Sequence, residues 1–242
     1  MSESTAAPAS VDPGEEWNAW RAERHRSLTS PTGNLALVET RWLPAGEEPD
    51  AEAALAGQPG SVTATTLRRS DLVTGEPEHG LRLWDADAPA VRHFEGVGTF
   101  PYDPAWVLEA TYTPVPGARS VPFEHLRDNG GTRELVVPGD ITLTVDGREY
   151  ALSAFDDDGT LLLVFGDPTN GDSTYAAGRF LFVRRTEDDN RVVLDFNRAF
   201  VPPCGFSDQY NCPMPPRQNR FHLAVEAGEK LPLFRDGFPD RH

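Results

Sequence analysis

The apolar positions of this chain change their period once, from a helical spacing near the N-terminus to strand-like runs after about residue 34. In residues 15–28, EEWNAWRAERHRSL, Trp17, Trp20, Ala22 and Leu28 form an approximate helical stripe. Glu15 and Glu16 open that segment, and Arg24, His25 and Arg26 lie near its end, a distribution that suits the helix dipole. Pro31 and Gly33 stop it.

From residue 34 onward the pattern predicts strands. Residues 34–43 alternate around Leu35, Leu37, Val38 and Trp42, and residues 45–60 form an acidic, Ala/Gly/Pro-rich connection with room for one short helical turn. Further strands are expected at 81–85, 91–94 and 106–113. Residues 140–155 read as a hairpin: ITLTV, the turn Asp146-Gly147, then YALSAF. A second turn, Asp158-Gly159, leads into the continuous apolar run 161–165. The runs 180–184 and 192–196 flank an acidic turn at 186–190, and 221–225 closes the series. Strands joined by short turns, with no alternating helices, predict a mainly β protein: an antiparallel barrel or sandwich with an N-terminal helix. The expected organisation is a disordered tail at 1–14, a helical arm at 15–33 and a single β domain at 34–242.

Composition agrees with that class. A chain of 242 residues can bury a sizeable core, and 22 Pro with 21 Gly suit many turns. The net charge of −16 repels nucleic acid and anionic membrane, so neither is an expected partner. An anionic ligand would have to be caught by a local basic cluster. Lys230 is the sole lysine, so arginine forks do nearly all cationic work. The N-terminus lacks a basic segment followed by an apolar core, and no apolar run approaches the roughly 20 residues of a spanning helix. A cytoplasmic location is therefore expected.

Candidate chemistry concentrates in residues 165–179, FGDPTNGDSTYAAGR, and 194–204, LDFNRAFVPPC. Hydroxyls and arginine suit phosphate oxygens, while carboxylates suit a divalent metal or a general base. The same Asp, Thr, Asn and Gly residues also build turns through side-chain-to-backbone bonds. Asp167, Asp195 and Arg179 are the candidate catalytic residues. Thr169, Thr174, Tyr175, Asn197 and Arg198 are candidate substrate contacts, and Asp167 with Asp172 candidate metal ligands. If 180–184 and 192–196 pair with Arg179 opposite Asn197, Arg179 lies diagonal to Asp195 on one face and the two segments make one site.

Other constellations are thinner. Cys204 and Cys212, with seven residues between them, match no common zinc spacing and read better as two buried thiols brought together by a tight loop. His93, His125 and His222 are candidate bases for a cysteine nucleophile. Arg82, Trp84, Asp85, Arg92, His93 and Glu95 read mainly as surface residues. No G-x-G-x-x-G, Walker loop, G-x-S-x-G or H-E-x-x-H motif occurs.

Together these segments resemble a family of bacterial proteins known only as a domain of unknown function. The resemblance rests on W-x-x-x-R at 17–21 or 20–24, the steps at 92–96 and 100–106, and F-x-D-x-T-x-G-x-x-T-Y-x-x-G-R at 165–179. L-D-F-N-x-A-x-x-P-P-C at 194–204, C-P-x-P-P-x-x-N-R at 212–220 and A-G-E-K at 227–230 complete it. This chain departs from the pattern at Phe200-Val201, where the family tends to have Tyr-Asn, and at Gly166, which replaces a commoner Arg. The resemblance implies a grouping and no activity. From the residues, the expected function is hydrolysis of a small phosphorylated compound, a phosphatase-like reaction with magnesium or manganese as candidate ion. The alternative is a non-catalytic module that binds a small anion or a protein.

Overall fold

A computed structural model describes residues 12–44, 46–70, 74–128, 132–185, 190–235 and 238, with the backbone alone at Arg185. Most of the expected tail (1–11) and most of the turn at 186–190 lie outside the described residues. The expected helix is present as α1 (Pro13–Leu28), so residues 13 and 14 are its first turn. Asp12 caps it by accepting from the Gly14 amide, and Pro13 pre-sets the first helical position.

The strands are antiparallel, as expected, and form three sheets. β1 (Leu37–Trp42), β2 (Val62–Ser70) and β3 (Pro77–Asp85) make a small sheet in the order β1-β3-β2. β4 (Phe94–Thr99) pairs with β11 (Glu229–Phe234). The remaining six close a barrel: β5 (Val107–Glu124), β6 (Thr132–Val145), β7 (Arg148–Asp157), β8 (Thr160–Phe165), β9 (Arg179–Arg185) and β10 (Arg191–Asp195). Among the described residues no helix is long and apolar enough to cross a membrane.

Both Asp-Gly turns form as read. Asp146 and Gly147 adopt φ of 49° and 73°, and Asp158 and Gly159 adopt 50° and 84°, the left-handed pair that a two-residue hairpin needs. The continuous apolar run of β8 has a structural reason: the strand is buried on both faces. Leu161, Leu163 and Phe165 point into the barrel, where they meet Leu181, Val183, Val192 and Leu194. Leu162 and Val164 point outward, into a second core shared with Phe123, Phe180, Phe206 and Leu28 of α1. The barrel interior is thus filled by side chains. Any site must lie outside it or at its ends.

Two expected strands are corrected. Residues 91–93 belong to a short helix, α2 (Pro89–His93), because Pro89 presets its first position and Ala90 buries beneath it; the strand begins only at Phe94. Residues 221–225 are a non-strand segment whose amides serve a loop. The Phe221 amide donates to the Gly166 carbonyl (2.8 Å) and the Val225 amide to Asp167 Oδ1 (3.2 Å), while both side chains close the end of the barrel.

β5 is longer than expected and breaks its register between Pro114 and Arg119. Pro114 and Pro116 have no amide to donate, and Gly117 and Ala118 turn left-handed, so the hairpin bends. Its outer half, pairing 119–124 with 132–137, carries Phe123, Val137 and Leu135 over the outer core.

Gly178 shows how tightly the loop before β9 is packed. It sits at φ +92°, and a Cβ there would fall 2.5 Å from Pro215 Cγ and 2.6 Å from the Phe165 carbonyl oxygen. Gly178→Ala is expected to lower stability by about 2–4 kcal/mol, combining left-handed strain with overpacking. Urea unfolding of the variant against the parent measures this; a change below about 0.5 kcal/mol contradicts it.

Candidate functional site

Arg179, one of the three candidate catalytic residues from sequence, is fully buried. Its place as the first residue of β9, opposite Phe165 of β8, turns its guanidinium into the end of the barrel, 5.1 Å from the Phe165 ring centroid. Nη2 donates to Asp167 Oδ2 (2.8 Å) and to the Val225 carbonyl (2.8 Å). Nη1 donates to the carbonyls of Ala227 (2.5 Å) and Glu229 (3.3 Å). Burial pushes the Arg179 pKa down, and Asp167 opposes that shift.

Asp167 is committed from every side. Besides Arg179, its carboxylate accepts from the Thr169 amide (2.9 Å), the Thr169 hydroxyl (2.6 Å) and the Val225 amide. Thr169 then meets Thr174 at 2.8 Å, and Asn170 Nδ2 donates to Thr174 at 3.0 Å. The Tyr175 hydroxyl donates to the Cys204 carbonyl (3.1 Å), and burial holds its pKa far above the usual phenol value. The Asp167–Thr169–Thr174 set is therefore a knotted loop closed by a buried ion pair. It borders none of the main surface cavities.

The second segment lies elsewhere. β9 and β10 pair Val192 with Arg185 and Val193 with Arg184, one residue off the register that would set Arg179 opposite Asn197. A one-residue slip exchanges the two faces of a strand. The observed register keeps Val183 and Leu194 together inside the barrel. β10 also ends at Asp195 and continues as a 3-10 turn over residues 196–198, so the one-site arrangement does not form. Asn197 is buried and bridges backbone: it accepts from the Asp103 amide (2.9 Å) and donates to the Asp103 carbonyl (2.9 Å). Arg198 lies between Asp195 (3.2 Å) and Glu16 of α1 (3.2 Å). Asp195 and Arg198 line a cleft of about 320 Å³ with Trp20 and Phe182, and both are already paired.

Asp172 stands exposed on its turn, away from a second carboxylate ligand. Among the described residues no group of three His, Cys, Asp or Glu side chains could hold a metal ion.

A different cavity has the features of a binding site. A cleft of about 490 Å³ lies outside the barrel, between β3, the bent hairpin of β5 and β6, and the loop 203–213. Its walls are Leu135, Phe155, Leu162, Phe180, Phe182 and Phe200, and its polar edge carries Arg82, His125, Tyr210, Asn211 and Cys212. The loop is stitched to the end of β5: the Leu126 amide donates to the Cys212 carbonyl (2.9 Å) and the Met214 amide to the Glu124 carbonyl (2.7 Å). Ser207 ties its other side to β1 through the Leu37 carbonyl (2.7 Å).

Within this cleft Arg82 stacks over Tyr210 at 5.0 Å, and its buried Nε has no hydrogen-bond partner. Arg24 is also present but is committed to Glu229 (3.1 Å) and the Val201 carbonyl (2.7 Å). Burial pushes Tyr210 up to about 12, so its phenol stays protonated as a donor. His125 donates from Nδ1 to the Phe123 carbonyl (3.0 Å), and burial pushes its pKa down. Sequence reading placed Arg82 among surface charges. It missed Tyr210, because neither position has a local signal of convergence.

With this geometry in view, the comparisons place the protein. The chain belongs to the family described as Protein of unknown function (DUF1684). The match covers residues 92–230, more than half of the chain. It includes the barrel, the Asp167–Arg179 loop and most of the cleft wall, while Arg82 and α1 lie outside it. A solution NMR structure of an uncharacterized protein from gene locus rrnAC0354 of Haloarcula marismortui is 34% identical, covering 57% of this chain and 77% of that one, with a TM-score of 0.46. No curated protein matches the chain.

Two outcomes follow from these environments. Asp167→Asn is expected to cost about 3–5 kcal/mol in urea unfolding, because it leaves a buried guanidinium without its counter-charge; a cost below about 1 kcal/mol contradicts a structural role. For His125, the folded pKa lies below the unfolded value near 6.5, so the unfolded chain binds the proton more readily. Its contribution to stability is complete above that value and declines as the pH falls toward the folded pKa. Between pH 7.5 and 5.5 the urea midpoint should drop less in His125→Gln than in the parent. An equal drop in both contradicts the assignment.

Proposed function

We propose that the protein binds a small amphipathic anion in the outer cleft, with an apolar or aromatic body against the phenylalanine wall and a carboxylate or phosphate at Arg82. The observation that carries this reading is a guanidinium with a partnerless buried Nε, set at the polar edge of a cavity with a phenylalanine wall, whose lining also includes Asp157. An arginine in that state gains most from an oxyanion supplied by a ligand. Tyr210 adds a neutral donor beside it, and Asn211 and His125 stand within the same lining.

The hydrolase expectation finds less support. The candidate catalytic pair, Arg179 and Asp167, are sealed against each other and against five backbone groups and the Thr169 hydroxyl. A phosphate could reach them only by opening the end of the barrel. Binding without turnover fits the residues that are accessible.

Thermal shift against a panel of aryl carboxylates and aryl phosphates tests the reading, with release of the aryl alcohol measured in the same wells with and without magnesium. A ligand at about 100 times its Kd stabilises by about 2.7 kcal/mol. That corresponds to a rise of roughly 5–10 °C for a chain of this length. The shift should vanish in Arg82→Gln, whose own stability should stay within about 0.5 kcal/mol of the parent. Shifts unchanged in that variant, or metal-stimulated turnover lost in Asp195→Asn, overturn the proposal.

A further inference from the structure

We propose that Cys204 and Cys212 are a peroxide-responsive dithiol, forming a reversible disulfide that fixes the loop wall of the cleft. This goes beyond ligand binding and does not depend on it. Both cysteines are free and buried. The Cys204 amide donates to Cys212 Sγ at 3.3 Å, which sets the Cys212 sulfur against the backbone of Cys204 and makes the two side chains neighbours across the loop.

The surroundings divide the labour. The hydrogen bond from Cys212 draws the Cys204 thiol below its ordinary pKa, while the same bond and burial raise Cys212. The Arg127 guanidinium is held nearby by the Tyr210 carbonyl (3.0 Å) and Asp208 (2.9 Å), and adds positive potential at the pair. A low-pKa sulfur next to a second thiol is the arrangement of an attacking and a resolving cysteine. Cys212 lines the open cleft, which gives a small oxidant its route to the pair.

The oxidant is hydrogen peroxide. The Cys204 thiolate attacks one peroxide oxygen, the O–O bond breaks, and hydroxide leaves, giving a sulfenic acid at Cys204. The Cys212 sulfur then displaces that hydroxyl as its own proton passes to it, forming the S–S bond and releasing water. In total, two thiols lose two electrons and two protons, and one peroxide becomes two waters. The bond brings the sulfurs to about 2 Å and cross-links the residues that flank Tyr210 and Asn211. That segment is already anchored at Leu126 and Leu37, so closing it leaves little freedom in the polar edge of the cleft.

The test treats the folded full chain with hydrogen peroxide, removes the oxidant, then unfolds and alkylates the chain and weighs it intact. Loss of two hydrogens, resistance of both cysteines to alkylation after unfolding, and recovery of both with dithiothreitol are expected. Cys212→Ser should accumulate a dimedone-reactive sulfenic acid on Cys204, and Cys204→Ser should oxidise about tenfold more slowly. Amides in 205–213 should exchange hydrogen more slowly after oxidation. Thiols that stay reduced, cross-links between chains, or direct passage to sulfonic acid overturn the dithiol. Unchanged exchange at 205–213 overturns the locking of the loop. Should either variant fail to fold, the intact mass of the parent still decides the bond.

Discussion

The interaction on which the architecture depends is the buried pair between Arg179 and Asp167. A six-stranded barrel closed by hydrogen bonds still has open ends. Here one end is covered by residues 221–227, a segment with no strand ladder of its own. Arg179 supplies the missing order. Its guanidinium gathers the carbonyls of Val225, Ala227 and Glu229, and Asp167 offsets the charge that this requires to be buried. Neither partner is tolerable alone in such a place, since an uncompensated buried ion costs several kcal/mol. The pair thereby couples the loop after β8 to the approach of β11.

The coupling continues outward to the helix. Glu229 lends its backbone carbonyl to Arg179 and its carboxylate to Arg24 of α1 and to the Val201 amide (2.7 Å). Arg24 in turn lies over Phe200 at 4.9 Å and Phe206 at 5.4 Å. Two arginines, two acids and a row of carbonyls thus run from the barrel's end to its outer layer. The Trp17 indole adds a second tether, donating to the Asn197 carbonyl at 3.0 Å. α1 is held by these polar contacts, by the Glu16–Arg198 pair, by His25 stacked on Phe94 and by Leu28 and Trp20 on the outer core, which suits a weak apolar stripe on an otherwise charged helix.

Much of the fold was legible because its signals are local. The Asp-Gly turns demand left-handed residues, and the acid-first, base-last helix is marked by its own ends. β2 was missed because VTATTLRRS reads as polar, and its alternation of half-buried and exposed positions breaks at Ala64-Thr65 even with β3 beside it. The register of β9 and β10 was not legible either, since it is set by Val183 and Leu194 meeting across the barrel interior. The site residues show the same division. A dense set of Asp, Thr and Arg does mark a special place in the chain, but sequence alone leaves open whether those groups face a ligand or one another. Burial of Arg179 decides for one another.

The accessible chemistry falls where the sequence is least suggestive, at the junction of three elements distant in the chain. Arg82 comes from the small sheet, His125 from the end of the bent hairpin and Tyr210 from the proline-flanked loop. Their convergence depends on Pro114 and Pro116 bending β5, and on Ser207 and Gln209 docking the loop against β1. A rigid barrel with a sealed interior leaves its outer layer as the part free to vary, which is where function commonly resides. The region matching the family supplies the apolar wall, while the cation comes from residue 82, before the match begins. Arg24 and Asp157 also border the cleft, but Arg24 is committed to Glu229 and the Val201 carbonyl. A chain that kept the wall and lost Arg82 would therefore keep the cavity and lose the guanidinium whose Nε has no partner. Under the proposed reading, the orienting cation comes from the small sheet rather than from the barrel.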